Sequence, residues 1–534
     1  MSKLLQSLSL AAGAALLAAC GGSSSTTSMT TSSTARGALE QDPPFRIASL
    51  DAPTFQSALA GTSTGAQLLQ IAGAPSCGVD FYYLKFWTVG GAKEVTESSG
   101  ALMVPTGTAS SCTGPRPVVL YAHGTNTDKT LNIADITVAS NSEGALIAAM
   151  FAAQGYIVVA PNYAGYDIST LGYHPFLNAE QQSGEMMDIL AAARTALPHT
   201  MSSATSDSGK LFVTGYSEGG HVAMATLRAL EAAGMAVTGA APMSGPYALE
   251  AFGDVIFLGA VDLGSTVFAP LLTTSYQKAY GNLYSAPTDV YSATYANGIE
   301  TLLPSATPID TIFTSGMLPQ TALFDITTPV VDVPNKPTLS IELTALLAVP
   351  NDPANPETPL FDAGFGSPYL INNSYRVSYA VDAASDLDGA ALTPPTAGAP
   401  LAAAAPMQPL RLALYTNDLR NGAWAPTVPT LLCGGDQDPT VFFSVNTGSM
   451  AAFWSALVGA GLITVLDVSG TPAGPFAAVQ AGFQSSQAQQ LAFYESTAGG
   501  GLSPAAAQEQ IVQNYHSSVA PFCSVAARSF FSQL

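Results

Sequence analysis

Charge is scarce in this chain, and positive charge scarcest: Lys and Arg together number 16, Asp and Glu 37, leaving a formal net charge of −21 over 534 residues. A field of that sign repels phosphate backbones and anionic membrane surfaces, which excludes nucleic acid as the expected partner and favours a neutral or apolar substrate. Histidine is rare too, with only 5 widely scattered residues, and neither a CxxC pair nor an HExxH helix occurs. No metal site and no cofactor are therefore expected.

Long apolar runs are missing beyond the N-terminus. Residues 144–161 come nearest, but Gln154-Gly155 interrupts them, and they read as a buried helix followed by a strand. What is present instead is 48% hydrophobic residues with Gly 48 and Pro 37, which excludes disorder, coiled coil and collagen. The length exceeds the usual ~100–200 residues of one domain, so a large domain with an insertion, or several domains, is expected.

Residues 1–19 have the form of an export signal: Lys3, an apolar run from Leu8 to Leu17, then small residues. Leu17-Ala18-Ala19-Cys20 resembles a bacterial lipobox, which implies a lipid anchor on Cys20 as the one membrane contact, and a cell-envelope or extracellular protein. An ordinary signal peptide cut nearby is the alternative. Residues 23–34 are all Ser or Thr except Met29, and residues 20–45 read as a solvated tether. Export also makes the remaining Cys77, Cys112, Cys433 and Cys523 informative. Their even number predicts two disulfides, and sequence neighbourhood favours Cys77–Cys112 and Cys433–Cys523.

Strand and helix signals then alternate. Residues 80–104 suit an antiparallel hairpin; Pro117–Ala122, Tyr156–Ala160 and Leu211–Thr214 are short apolar strands, with helices expected over Ser142–Ala153, Asn178–Leu197 and His221–Ala233. This rhythm predicts an α/β fold with a mostly parallel sheet flanked by helices. From about 249 to 409 it breaks: the stretch holds 18 of the 37 prolines and only Lys278, Lys336 and Arg376 as basic residues. We read 46–248 as the first part of the core, 249–409 as an inserted cap subdomain leaving through an Ala/Pro-rich linker at 389–409, and 410–534 as the second part. Pro429–Gly434 and Leu462–Val468 resume the strands, Ser444–Ala460 a helix, and Ser518–Phe531 is the last helix.

Gly215-Tyr216-Ser217-Glu218-Gly219 is a GxSxG sequence entered from a strand and left by a helix. A reversal that tight forces main chains together, so Gly215 and Gly219 have no room for a Cβ, and Ser217 is thrust out as a candidate nucleophile beside a helix N-terminus. A serine hydroxyl needs a base, and the base an orienting carboxylate, in the chain order nucleophile, acid, base. His123, His174 and His199 precede Ser217, and His221 lies just after the elbow, leaving His516, in a loop ahead of the last helix, as the base. After the strand at 429–434, Asp436 and Asp438 compete as the acid. Asp438 is preferred for its spacing from Gly435 and the Pro439-Thr440-Val441 that follows, Asp436 being able to cap the loop; Asp467 is a third option. The amides of Glu218 and Thr125, the latter in the loop His123-Gly124-Thr125-Asn126, are the expected oxyanion donors, and His123 reads as a structural histidine shaping that loop.

The segments 121–125 (YAHGT), 161–167 (PNYAGYD), 215–221 (GYSEGGH), 424–441 and 514–516 (NYH) together resemble the α/β-hydrolases, and among them the secretory lipase family and its bacterial esterase relatives. The resemblance covers about residues 100–250 and 410–534. Carried over by position, it implies a serine carboxylic-ester hydrolase with Ser217 as nucleophile, Asp438 as acid, His516 as base and oxyanion donors at Thr125 and Glu218. His174-Pro175 and Tyr163 are similar to positions that line the pocket entrance in such enzymes, and core packing explains them as well. Residues 249–409 match no pattern. A serine peptidase of the same fold, and a non-catalytic surface-binding lipoprotein, remain as alternatives.

Overall fold

The computed structural model describes residues 34–137, 142–350, 358–385, 405–422, 424–459 and 461–534. The predicted export signal, Cys20 and the tether as far as residue 33, and the linker as far as residue 404, lie outside the described residues.

The chain opens with β1 (Phe45–Leu50), α1 (Ala52–Ala60) and α2 (Ser63–Ala72), three elements that sequence patterning did not anticipate. The expected hairpin follows as β2 (Gly78–Val89) and β3 (Val95–Thr106), in register from Gly78 opposite Thr106 to Val89 opposite Val95. Then come β4 (Gly114–Ala122), α3 (Ser142–Met150), β5 (Ile157–Pro161), α4 (Ala179–Ala196), β6 (Thr205–Tyr216), α5 (Glu218–Ala232) and β7 (Gly239–Met243). The strand ahead of the elbow is thus longer than its apolar part, because its polar first half pairs with β4 from Gly114 to Arg116.

Between β7 and the next core strand lie α6 (Leu249–Phe257), α7 (Ser265–Tyr280), α8 (Ile309–Thr314), β8 (Phe324–Asp325), α9 (Pro337–Leu346), α10 (Thr358–Asp362), β9 (Phe365–Gly366), α11 (Asn373–Ser385) and α12 (Pro409–Asn417). Most of these elements contribute to one apolar cluster, which includes Leu271, Tyr276, Ile312, Phe324 and Tyr379 together with Phe176 and Leu177 from ahead of α4. Buried Arg411 on α12 clamps α6 through Asp254, with nitrogen to oxygen distances of 2.8 Å at both carboxylate oxygens, and through Glu250 at 2.9 Å. The chain closes with β10 (Thr430–Gly434), α13 (Ser449–Ser455), β11 (Ile463–Asp467), α14 (Ala477–Glu495), α15 (Pro504–Gln513) and α16 (Tyr515–Phe531). A π-turn at Ser444–Gly448 takes the place of the first part of the helix expected there.

Among the described residues the core is a nine-stranded sheet in the order β1-β2-β3-β5-β4-β6-β7-β10-β11. The first pairings, as far as β3 with β5, are antiparallel, and all later ones are parallel. Both faces are covered, which is why the central strands are unbroken apolar runs: Val118, Leu120 and Ala122 enter one cluster while Val119 and Tyr121 enter the other. Residues 34–45, assigned to the tether by composition, lie against this body. Arg36 pairs with Asp188 at 2.9 Å, and the Gly37 and Glu40 amides bond to the Trp87 and Lys85 carbonyls.

The structure contains both predicted disulfides, Cys77–Cys112 and Cys433–Cys523. The second joins β10 to α16 across 90 positions. Closing so long a loop removes entropy from the unfolded chain, so replacing both Cys433 and Cys523 by alanine is expected to cost about 4 kcal/mol. Urea unfolding of the variant against the oxidised wild type measures this; an unchanged midpoint would contradict it.

Candidate active site

The site is assembled at the carboxyl ends of β4, β6 and β10. Strand β6 delivers Tyr216 and Ser217 directly into α5, and Ser217 adopts φ 61° and ψ −125°, a conformation residues with a Cβ rarely hold. The two glycines make it possible. A Cβ on Gly215 would stand 2.3 Å from the Gly219 carbonyl oxygen, and one on Gly219 only 2.0 Å from that of Ala122. Ser217 N donates to the Met243 carbonyl at 3.0 Å, while its hydroxyl makes no capping bond to α5. The half-buried side chain lines the pocket described below.

His516 lies in the first turn of α16 rather than in a loop, because that helix begins at Tyr515, earlier than its apolar periodicity indicated. Its Nδ1 donates to Asp438 Oδ2 at 2.6 Å. The other oxygen of Asp438 accepts the Thr440 and Val441 amides at 2.9 and 3.1 Å, so the carboxylate is fixed by its own turn. Asp438 is therefore the partner of His516. Asp436 is exposed, and the bracing role considered for it falls to Asp467, which takes the Asp436 amide at 3.1 Å. Among the described residues His516 Nε2 is buried without a hydrogen-bond partner.

Tyr216 connects the two ends of this arrangement. Its hydroxyl donates to the His516 carbonyl, and its ring lies 4.9 Å from the imidazole, so the residue preceding Ser217 abuts a residue 300 positions away. The GxSxG pattern leaves this position open, and nothing in it marks Tyr216 for the task. Burial raises the Tyr216 phenol well above its usual range, keeping it a neutral donor.

The loop after β4 is held from several sides. Glu143 on α3 accepts the Gly124 amide at 3.1 Å and the Tyr121 hydroxyl at 2.7 Å; burial raises its carboxyl. Buried His123 has its ring nitrogens 2.7 and 3.1 Å from the Gly124 and Asn162 carbonyl oxygens, the structural place read for it. Tyr163 and Tyr166 donate to the His123 and Asn126 carbonyls. Thr125, between these anchors, lines the pocket with Ser217 and Glu218, and the Glu218 amide opens α5, where no intrahelical carbonyl can serve it.

The Glu218 side chain points into the protein: Oε1 accepts from His174 and Gln182, each at 2.7 Å. Burial alone would raise this carboxyl, but His174, Gln182 and His123 outweigh it and hold it below its usual value. His174 and Tyr163 are thus buried supports and not lining residues of the pocket entrance; their neighbours Phe176 and Leu177 line the pocket instead. His221 donates from Nε2 to the Asn417 carbonyl, and burial lowers it to about 4, so it is a neutral packing residue.

The pocket encloses about 100 Å³, and about 880 Å³ with the open solvent at its mouth included. Ser217, Glu218 and Thr125 form one part of its wall, Thr440 and Val441 another, and most of the rest comes from the segment between β7 and β10, including Phe252, Ile256, Phe257, Phe268 and Leu272. The lining is almost wholly apolar.

The prolyl oligopeptidase family matches residues 144–249, the stretch holding the elbow. No curated protein sequence matches the chain. Among solved structures, a ligand-bound form of the rice cell wall degrading esterase LipA from Xanthomonas oryzae is 23% identical, covers 94% of this chain and all of its own, and superposes with a TM-score of 0.64. A mutant form of the same esterase is 25% identical over 81% of this chain and 91% of its own, with a TM-score of 0.59. The chain is an α/β-hydrolase. A candidate hydrolase from Legionella pneumophila, 18% identical over 93% of this chain and 97% of its own, shares the fold of this α/β-hydrolase at a TM-score of 0.54.

Because Glu218 carries two donors in a site without water access, Glu218→Ala strands both and is expected to cost about 3–5 kcal/mol, and Glu218→Gln, which keeps a carbonyl acceptor, less. Chemical denaturation of the two variants measures the difference; equal costs would contradict the account.

Proposed function

We propose that this α/β-hydrolase is an exported serine carboxylic-ester hydrolase of the esterase or lipase type, acting on neutral or apolar esters through an acyl-enzyme. The observation that carries the reading is His516: its Nδ1 is committed to Asp438, its buried Nε2 is free, and the Tyr216 it touches is followed directly by Ser217, which lines an apolar pocket. In the proposed reaction Ser217 Oγ attacks the ester carbonyl as His516 Nε2 takes its proton. Asp438 holds the imidazole in the tautomer that leaves Nε2 free to accept. The amides of Thr125 and Glu218 receive the oxyanion, His516 returns the proton to the leaving alcohol, and water repeats the cycle on the acyl group. No step calls for a metal or cofactor.

The segment 249–409 acts as a cap whose aromatic and aliphatic side chains hold the apolar part of the substrate. The esterase among the structural relatives supports the choice of bond, and two formed disulfides support an oxidising compartment. Cys20 would carry the lipid that retains the enzyme at the cell envelope.

The match to the prolyl oligopeptidase family favours a second reading, a serine peptidase using the same groups. One experiment separates them: hydrolysis of p-nitrophenyl butyrate against the butyryl anilide, in wild type, Ser217→Ala and Asp438→Asn, with Cys20→Ser scored for release from membranes. Ester turnover is expected to dominate, and each active-site variant to lose at least about 10³-fold in kcat. Anilide turnover equal to or above ester turnover would establish the peptidase, and full activity in Ser217→Ala would end both readings.

A further inference from the structure

Besides Glu218, whose side chain turns into the protein, one carboxylate lines the pocket wall, and it takes no part in the chemistry above. Asp262, in the turn between α6 and α7, is only 4% exposed and lines the pocket together with Ser265. Its Oδ1 accepts the Ser265 hydroxyl, whereas Oδ2 is buried and has no hydrogen-bond partner among the described residues. Leaving a carboxylate oxygen unserved costs stability, and among the described residues no cation pairs with Asp262 as Arg411 does with Asp254. An unpaired acceptor kept in an otherwise apolar pocket has a physical rationale if a ligand supplies the donor.

Its place in the fold says where on the ligand that donor must be. The Leu263 amide donates to the Pro439 carbonyl at 2.9 Å, tying the residue after Asp262 to the turn that carries Asp438. Thr440 and Val441 of that turn line the same pocket. Asp262 therefore belongs to the reacting end of the cavity and not to the far end of an acyl chain. Burial, with the charge of Asp438 adding to it and the Ser265 bond opposing it, pushes the Asp262 carboxyl up to about 7. Near neutrality it can thus accept from a hydroxyl or donate to one.

We infer that Asp262 is a specificity-determining residue whose free oxygen recognises a hydroxyl one or two carbons from the ester carbonyl, so that the preferred substrates are esters of hydroxy acids. This rests on the ester-hydrolase reading and narrows its substrate class. Recognition by a buried polar group discriminates strongly, because an analogue without the partner leaves the group stranded.

The test compares p-nitrophenyl 3-hydroxybutyrate with p-nitrophenyl butyrate in wild type, Asp262→Leu and the isosteric Asp262→Asn. The ratio of kcat/KM for the hydroxylated over the plain ester is expected to fall about tenfold or more in Asp262→Leu, and by less in Asp262→Asn, which keeps an oxygen acceptor. Calorimetry with the two methyl esters and Ser217→Ala protein, with and without Asp262→Leu, reads the same preference without turnover. A ratio unchanged in both variants overturns the inference, and Asp262→Asn alone decides the matter should Asp262→Leu not fold. If the wild type hydrolyses neither ester but the calorimetric preference depends on Asp262, the recognition site stands and the ester-hydrolase reading falls.

Discussion

The hydrogen bond from His516 to Asp438 is the constraint on which the rest depends, because it fixes which nitrogen of the imidazole is left free, the one proposed to take the proton of Ser217. It is short, its acceptor is buried, and that acceptor is held by the two amides of its own turn. The same two elements are joined a second time, by the disulfide from Cys433 on β10 to Cys523 on α16. Residues 516 and 523 are two turns apart and share a face of the helix, so covalent bond and hydrogen bond reinforce one alignment. Tyr216 adds a third link from the elbow itself.

A low-charge protein has few ion pairs to spend on its interior, and it concentrates buried charge where position matters. Arg411 with Asp254 and Glu250 holds the first and last helices of the stretch between β7 and β10 together. Glu218, locked by His174 and Gln182, secures the start of the helix whose amide is proposed to meet the oxyanion. Glu143 does the same for the opposite loop. Each of these groups meets more than one partner, which offsets part of the cost of burying charge in low dielectric, although Glu218 Oε2 has none among the described residues. Asp262 departs from that rule, and its position in the pocket gives the departure a functional rationale.

The parallel sheet, the elbow and both disulfides were legible in the sequence because each rests on local chemistry: apolar strands buried on two faces, glycines where no Cβ fits, paired thiols. The pairing of Asp438 with His516 followed from chain order and turn spacing, although the helical setting of His516 did not. The polar first turn, Tyr515 to Ser518, hid the true start of α16. The supports at Glu143, Tyr216 and Glu218 were hidden for a different reason: a buried carboxylate or phenol has the same letter as an exposed one, and only tertiary contact distinguishes them. The stretch from 249 to 409 was marked off by its broken rhythm alone, and that its residues make up much of the pocket wall emerged from the folded chain.

Covalent trapping with a fluorophosphonate followed by peptide mass spectrometry tests the central claim most directly, since it requires the serine and imidazole to act together. The account predicts stoichiometric modification of the wild type at Ser217 alone, and none in His516→Ala. An unlabelled wild type, a label on another residue, or labelling that persists without His516 would contradict it.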